Sequence, residues 1–132
     1  AKGTRVINNV VGLSAVNMAT TVKAKCITVP TTTGRSARLV SHFRPNMPIV
    51  AFTRNDWAVA KMLMYWGVVP FHVETEGEDV SLTAAHAIDA ARDRGFLKKG
   101  DITVVTAGDP ATSVTLEDKI TSTNVCCVAQ VR

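Results

Sequence analysis

The sequence predicts an α/β fold: a three-layer sandwich in which a mostly parallel five-stranded sheet carries helices on both faces. Three observations predict it. Short β-branched runs alternate with stretches at helical spacing, in the order α-β-α-β-α-β-α-β-loop-β, and strands joined through helices demand crossover connections and hence parallel pairing. Proline and glycine punctuate the boundaries between these stretches, as at Pro30, Gly34, Gly67, Gly95 and Gly100. The chain has 132 residues, of which 46% are hydrophobic, so residues 1–132 suffice for one core and one domain.

Each element has a local reason. Ile7, Val10, Val11, Ser14, Met18 and Thr21 recur at helical spacing between Thr4 and Val22, which predicts a helix packing that stripe. Ala24 to Val29 is β-rich and meets Pro30, which cannot continue a central strand. Thr31-Thr32-Thr33-Gly34 makes a hydroxyl-rich turn, and Arg35 to Phe43 a helix that stops before Arg44-Pro45. Pro48 to Thr53 is a second strand. Asn55 is a helix cap, and Val59, Met62, Leu63 and Trp66 share one face of the helix that follows. Gly67 closes that helix, and Val68 to Val73 is a strand that Pro70 confines to a sheet edge. Glu74 to Asp79 is an acidic loop. From Asp79, Val80, Ala84, Ala87, Ile88 and Ala91 keep helical spacing until Gly95. Lys98-Lys99-Gly100 is a basic turn, Ile102 to Thr106 a strand, Ala107 to Ser122 a polar loop, and Asn124 to Val131 the last strand.

Composition narrows the function. Fifteen Lys and Arg against eleven Asp and Glu leave a net charge of +4 that is dispersed along the chain, which suits an anionic ligand better than nucleic acid. One Tyr, two Trp and four Phe supply few base-stacking platforms. No apolar run reaches the roughly 20 residues of a membrane span, and Ala1 to Asn9 lacks the apolar block and cleavage site of a signal peptide. Three Cys, with Cys126 and Cys127 adjacent on a strand, favour reduced thiols and a cytoplasmic location.

In a sheet of this kind ligands sit at the carboxyl ends of strands, which selects the loops Thr31 to Ser36, Arg54 to Asp56, and Gly108 to Thr115. The strongest signal is Thr31-Thr32-Thr33-Gly34-Arg35-Ser36, where hydroxyls, a flexible glycine and a helix N-terminus converge. Unpaired N–H groups and the helix dipole there favour a phosphate, although the same threonines could simply cap the helix. One glycine and no Gly-Lys-Ser/Thr ending exclude the P-loop pattern. His42, His72 and His86 share no motif, and no CxxC or HxxxH grouping exists, so neither a catalytic base nor a metal site is expected. Asp79, Asp89 and Asp93 beside Arg92 and Arg94 read as a solvated helix face, and the Met and Trp residues as packing groups.

The run Thr31-Thr32-Thr33-Gly34-Arg35-Ser36-Ala37-Arg38-Leu39-Val40-Ser41, then Phe43-Arg44-Pro45, Pro48-Ile49-Val50-Ala51-Phe52-Thr53 and Gly67-Val68-Val69-Pro70, resembles the C-terminal domain of pyruvate kinase. Arg94-Gly95-Phe96-Leu97-Lys98-Lys99-Gly100-Asp101, Val104-Val105-Thr106 and Ser122-Thr123-Asn124 extend the likeness over nearly the whole chain. The family transfers the phosphoryl group of phosphoenolpyruvate to ADP with Mg²⁺ and a monovalent cation, in a barrel of about 250 residues that this chain is too short to contain. The resemblance therefore implies no catalytic residue, no metal and no cofactor here, and a regulatory and oligomerisation domain of a pyruvate kinase. It implies effector phosphate-binding by Thr31, Thr32, Thr33, Gly34, Arg35 and Ser36, with Arg35 serving either the phosphate or a neighbouring subunit.

Two departures bear on the ligand. Members that bind fructose 1,6-bisphosphate often have Lys where this chain has Thr32, and a Gly-rich, aromatic, more basic loop where it has Asp109 to Asp118. A lost cation and added acids disfavour a doubly phosphorylated ligand by a few kcal/mol in a partly desolvated site. A sugar monophosphate or AMP is the expected phosphorylated effector, a homo-oligomer built on the first helix or last strand the expected assembly, and neither nucleic acid nor membrane an expected partner. The alternatives are a stand-alone binding module for a small phosphorylated metabolite and an enzyme using His42 or Asp56 as base.

Overall fold

The computed structural model describes the backbone of residues 2–74, 84–107 and 125–131, and the side chains of 9–74, 85–106 and 128–131. In chain order the elements are α1 (Lys2–Val22), β1 (Cys26–Pro30), α2 (Arg35–His42), β2 (Ile49–Thr53), α3 (Asp56–Met62), β3 (Val68–His72), α4 (Ala84–Asp93), β4 (Ile102–Ala107) and β5 (Val125–Gln130). The sheet order is β3-β2-β1-β4-β5. β1 pairs in parallel with β2 and β4, β2 in parallel with β3, and β5 runs antiparallel to β4. The order thus agrees with the sequence reading; residues 75–83, which hold most of the expected acidic loop Glu74 to Asp79 and the start of the helix expected from Asp79, and residues 108–124, which hold most of the expected polar loop Ala107 to Ser122, lie outside the described residues.

The two-residue period of the strands builds the two cores. Ile27, Val29, Ile49, Ala51 and Val104 pack with Ala15, Ala19, Val40, Ala58 and Met62 from α1, α2 and α3 on one face. Cys26, Val50 and Phe52 pack with Ala87, Ala91 and Leu97, in and just beyond α4, on the other. Phe52 and Ile27 are wholly buried, each a side chain whose removal from water contributes about 1.5–3 kcal/mol. Every residue of β1 and β2 is buried, whereas β3 is half-buried throughout. That gradient fits Pro70 at an edge, where its missing N–H leaves no ladder partner unpaired.

Two helix faces differ from expectation. Among the described side chains of α1 the buried positions are Gly12, Ala15 and Ala19, while Val10 and Thr21 of the expected stripe are exposed and the Ile7 side chain lies outside the described residues. Distance of approach decides this. A Cβ added at Gly12 would lie 3.2 Å from Phe43 Cε2 and 3.4 Å from the Leu39 carbonyl oxygen, so small residues must face inward and larger ones turn away. α3 ends at Met62 rather than continuing to Trp66. The Met64 and Tyr65 N–H groups donate to the Lys61 and Met62 carbonyls, a tightening over three residues that closes the helix. Ala58 and Met62 face the core, whereas Leu63 and Trp66 are exposed.

Against the expectation that the strand stops at Val29, Pro30 is the last residue of the central strand β1, in register with Phe52, and the ladder continues past it when the Thr31 N–H donates to the Phe52 carbonyl at 2.9 Å. On the α4 side of the sheet the Thr28 and Thr103 hydroxyls bond at 2.8 Å, with Cys26 Sγ 3.7 and 3.6 Å from them. Cys26 is a free, buried thiol. Backbone register sets Cys126 opposite Thr106 and Cys127 opposite Val105. No helix among the described residues is long and apolar enough to cross a membrane.

Candidate functional site

The chain leaves β1 for β2 on one side and returns, after α4, to β4 on the other. The carboxyl ends of β1 and β4 therefore flank the point where strand order reverses, the place at which open α/β sheets bind ligands. Thr31 to Gly34 leave β1 at that end, and Arg35 opens α2 immediately afterwards. Of the three loops selected from sequence, 31–36 and 54–56 are described, and 108–115 lies outside the described residues.

The threonine loop is a built turn. Thr31 Oγ1 accepts the Gly34 N–H at 3.0 Å, and Thr33 Oγ1 accepts the Arg35 N–H at 3.3 Å. Both hydroxyls thus serve the loop backbone, while the N-cap of α2 is Gly34 with no side-chain cap bond, and each hydroxyl also carries an O–H that can donate. Thr32, Thr33 and Arg35 are exposed, Thr31 is half-buried, and Gly34 and Ser36 are buried. Gly34 occupies the helix N-cap with φ +89°, a conformation that strains any residue with a Cβ. Space requires glycine as well: a Cβ there would lie 2.8 Å from Met62 Cγ.

The loop after β2 holds the threonine loop in place. Asn55 Nδ2 donates to the Thr32 carbonyl at 2.8 Å, Thr53 Oγ1 donates to the same oxygen at 3.3 Å, and the Asn55 N–H donates back to Thr53 Oγ1 at 3.2 Å. Asn55 sits at the N-cap of α3 without a side-chain cap bond, so its amide is spent on the neighbouring loop instead of its own helix. Sequence reasoning missed that role for Thr53 and Asn55. The signal available was a hydroxyl and an amide together at the carboxyl end of a strand. At the end of β4, Thr106 is wholly buried and its Oγ1 has no hydrogen-bond partner among the described residues.

The two candidate bases fall in different places. His42 closes α2 with its ring edge-on to Phe43, seven residues beyond Arg35 and so about 10 Å along the helix from the threonine loop. Asp56 follows Asn55 but has a partner the sequence did not disclose: His72 Nε2 lies 3.6 Å from its Oδ1. The β2–β3 register, with Thr53 opposite His72, creates that pair. Among the described residues no three His, Cys, Asp or Glu side chains gather as metal ligands do.

Comparison with known proteins places the chain in a family. The family model described as "Pyruvate kinase, alpha/beta domain" matches residues 9–129. A pyruvate kinase of Clostridium acetobutylicum is 35% identical over 103 residues, covering 78% of this chain and 22% of that protein. Pyruvate kinase 1 of Candida glabrata is 43% identical over 103 residues, 74% of this chain and 21% of its own length. A pyruvate kinase of Geobacillus stearothermophilus is 34% identical over 107 residues, 79% and 18%. The chain thus spans about a fifth of the length of the curated relatives it matches. On the match to residues 9–129, this chain belongs to the pyruvate kinase alpha/beta domain family.

Proposed function

We propose that this domain is the regulatory and oligomerisation part of a pyruvate kinase, and that it binds a phosphorylated effector on the Thr31–Ser36 loop. The parent reaction would be phosphoryl transfer from phosphoenolpyruvate to ADP, carried out in a barrel elsewhere, with Mg²⁺ and a monovalent cation held there and this domain contributing no catalytic group. The observation that carries the reading is the left-handed turn at Gly34, which sets two hydroxyl-bearing residues on the opening of α2 at the strand-order reversal. A helix opening attracts anions through its N–H groups and dipole. Thr31, Thr32, Thr33 and Ser36 supply hydroxyls, Gly34 permits close backbone approach, and Arg35 brings a cation to the rim.

The ligand class follows from charge. Arg35 is the one cation within the loop, which suits a single phosphate group, so a sugar monophosphate or AMP is favoured over a bisphosphate. Self-association of the domain would use α1 and the β5 edge, where Val10, Leu13 and Val128 are exposed. An edge strand of this kind is protected when a second copy pairs with it.

Calorimetric titration with AMP, ribose 5-phosphate, glucose 6-phosphate and fructose 1,6-bisphosphate tests the effector reading. Saturable binding that Thr33→Ala and Ser36→Ala abolish supports it, and the ranking of ligands names the class. Flat traces for every ligand would leave the loop as a helix cap and subunit assembly as the main role.

A further inference from the structure

We draw no further inference here: the strongest candidate, the exposed apolar patch of Trp57, Leu63, Met64 and Trp66 along α3 and the turn that follows it, carries nothing because nothing in the structure shows what covers it, with Asp56 setting a carboxylate beside Trp57 where Lys61 and Arg44 set cations.

Discussion

Gly34 and Met62 are locked together: a Cβ on Gly34 would sit 2.8 Å from Met62 Cγ and 3.4 Å from its sulfur. The contact joins the threonine loop to the buried end of α3, and the φ of +89° at Gly34 adds a conformational requirement to the steric one. Gly34→Ala should therefore destabilise the domain by about 2–5 kcal/mol, combining ~1–2 for the left-handed conformation with ~1–3 for overpacking. Met62→Ala in the Gly34→Ala background should relieve the steric part alone. Chemical denaturation of the two single variants and the double variant measures this as a coupling energy, and simple additivity would show that the contact relaxes freely.

Asn55 tethers the threonine loop without belonging to it. Its side-chain amide bonds the Thr32 carbonyl at 2.8 Å while its own helix goes without a side-chain cap. Asn55→Ala should loosen the loop and weaken affinity for the proposed phosphate ligand by about 2- to 13-fold, the worth of roughly 0.5–1.5 kcal/mol in one hydrogen bond. Asn55→Asp keeps the shape but presents a carboxylate to a carbonyl and should not restore affinity. Calorimetry on both variants distinguishes loop positioning from general destabilisation, which thermal melting would reveal separately.

The strand and helix order was legible because strands buried on both faces read as continuous β-branched runs and helices as a 3.6-residue period, as in Ile49–Thr53 and Arg35–His42. What was not legible depended on distance across the fold. The inward face of α1 is set by how close Gly12 must come to Phe43 and Leu39, a relationship invisible to a pattern that weights large apolar residues. The outward face of α3 has the same character, since Leu63 and Trp66 carry every sequence sign of a core stripe. Within the site, Thr31, Thr33 and Gly34 announced a turn before a helix. The Asn55 and Thr53 bonds to Thr32 span more than twenty residues and arise only because β1 and β2 lie side by side.

Arg94 closes the second core. Its guanidinium carbon lies 4.8 Å from the Phe71 ring centre and 5.5 Å from that of Phe52. Phe52 stacks on Phe71 at 5.7 Å, and Phe96 meets Phe71 edge-on at 5.8 Å. A planar cation over a ring face gains from the ring quadrupole, by about 0.5–1 kcal/mol at an exposed position. Arg94→Ala should lower stability by about 1–2 kcal/mol once lost stem packing is included. Arg94→Lys should recover only part of that, because an ammonium cannot stack as a plane. Urea unfolding of the three proteins gives the ranking, and equal stability of all three would remove the cluster from the energetics.

Cys26 gives the fold a pH signature on the alkaline side. Burial pushes its thiol above the usual value of 9.0, outweighing the Thr103 and Thr28 hydrogen bonds that act in the opposite direction. The folded chain therefore holds the thiol proton more tightly than the unfolded chain does. By linkage, the stabilisation is complete below the unfolded thiol value and is lost as pH rises past it toward the folded one. The Cys26 contribution to stability measured by urea unfolding should be independent of pH near neutrality and fall with a Cys26-dependent slope above about pH 8.5. Cys26→Ala removes that slope while lowering stability at neutral pH through the lost sulfur packing. The comparison is made as a difference between the two proteins, so that whatever they share cancels. Parallel curves across the alkaline range would mean that the thiol ionises as readily in the folded sheet as in the unfolded chain.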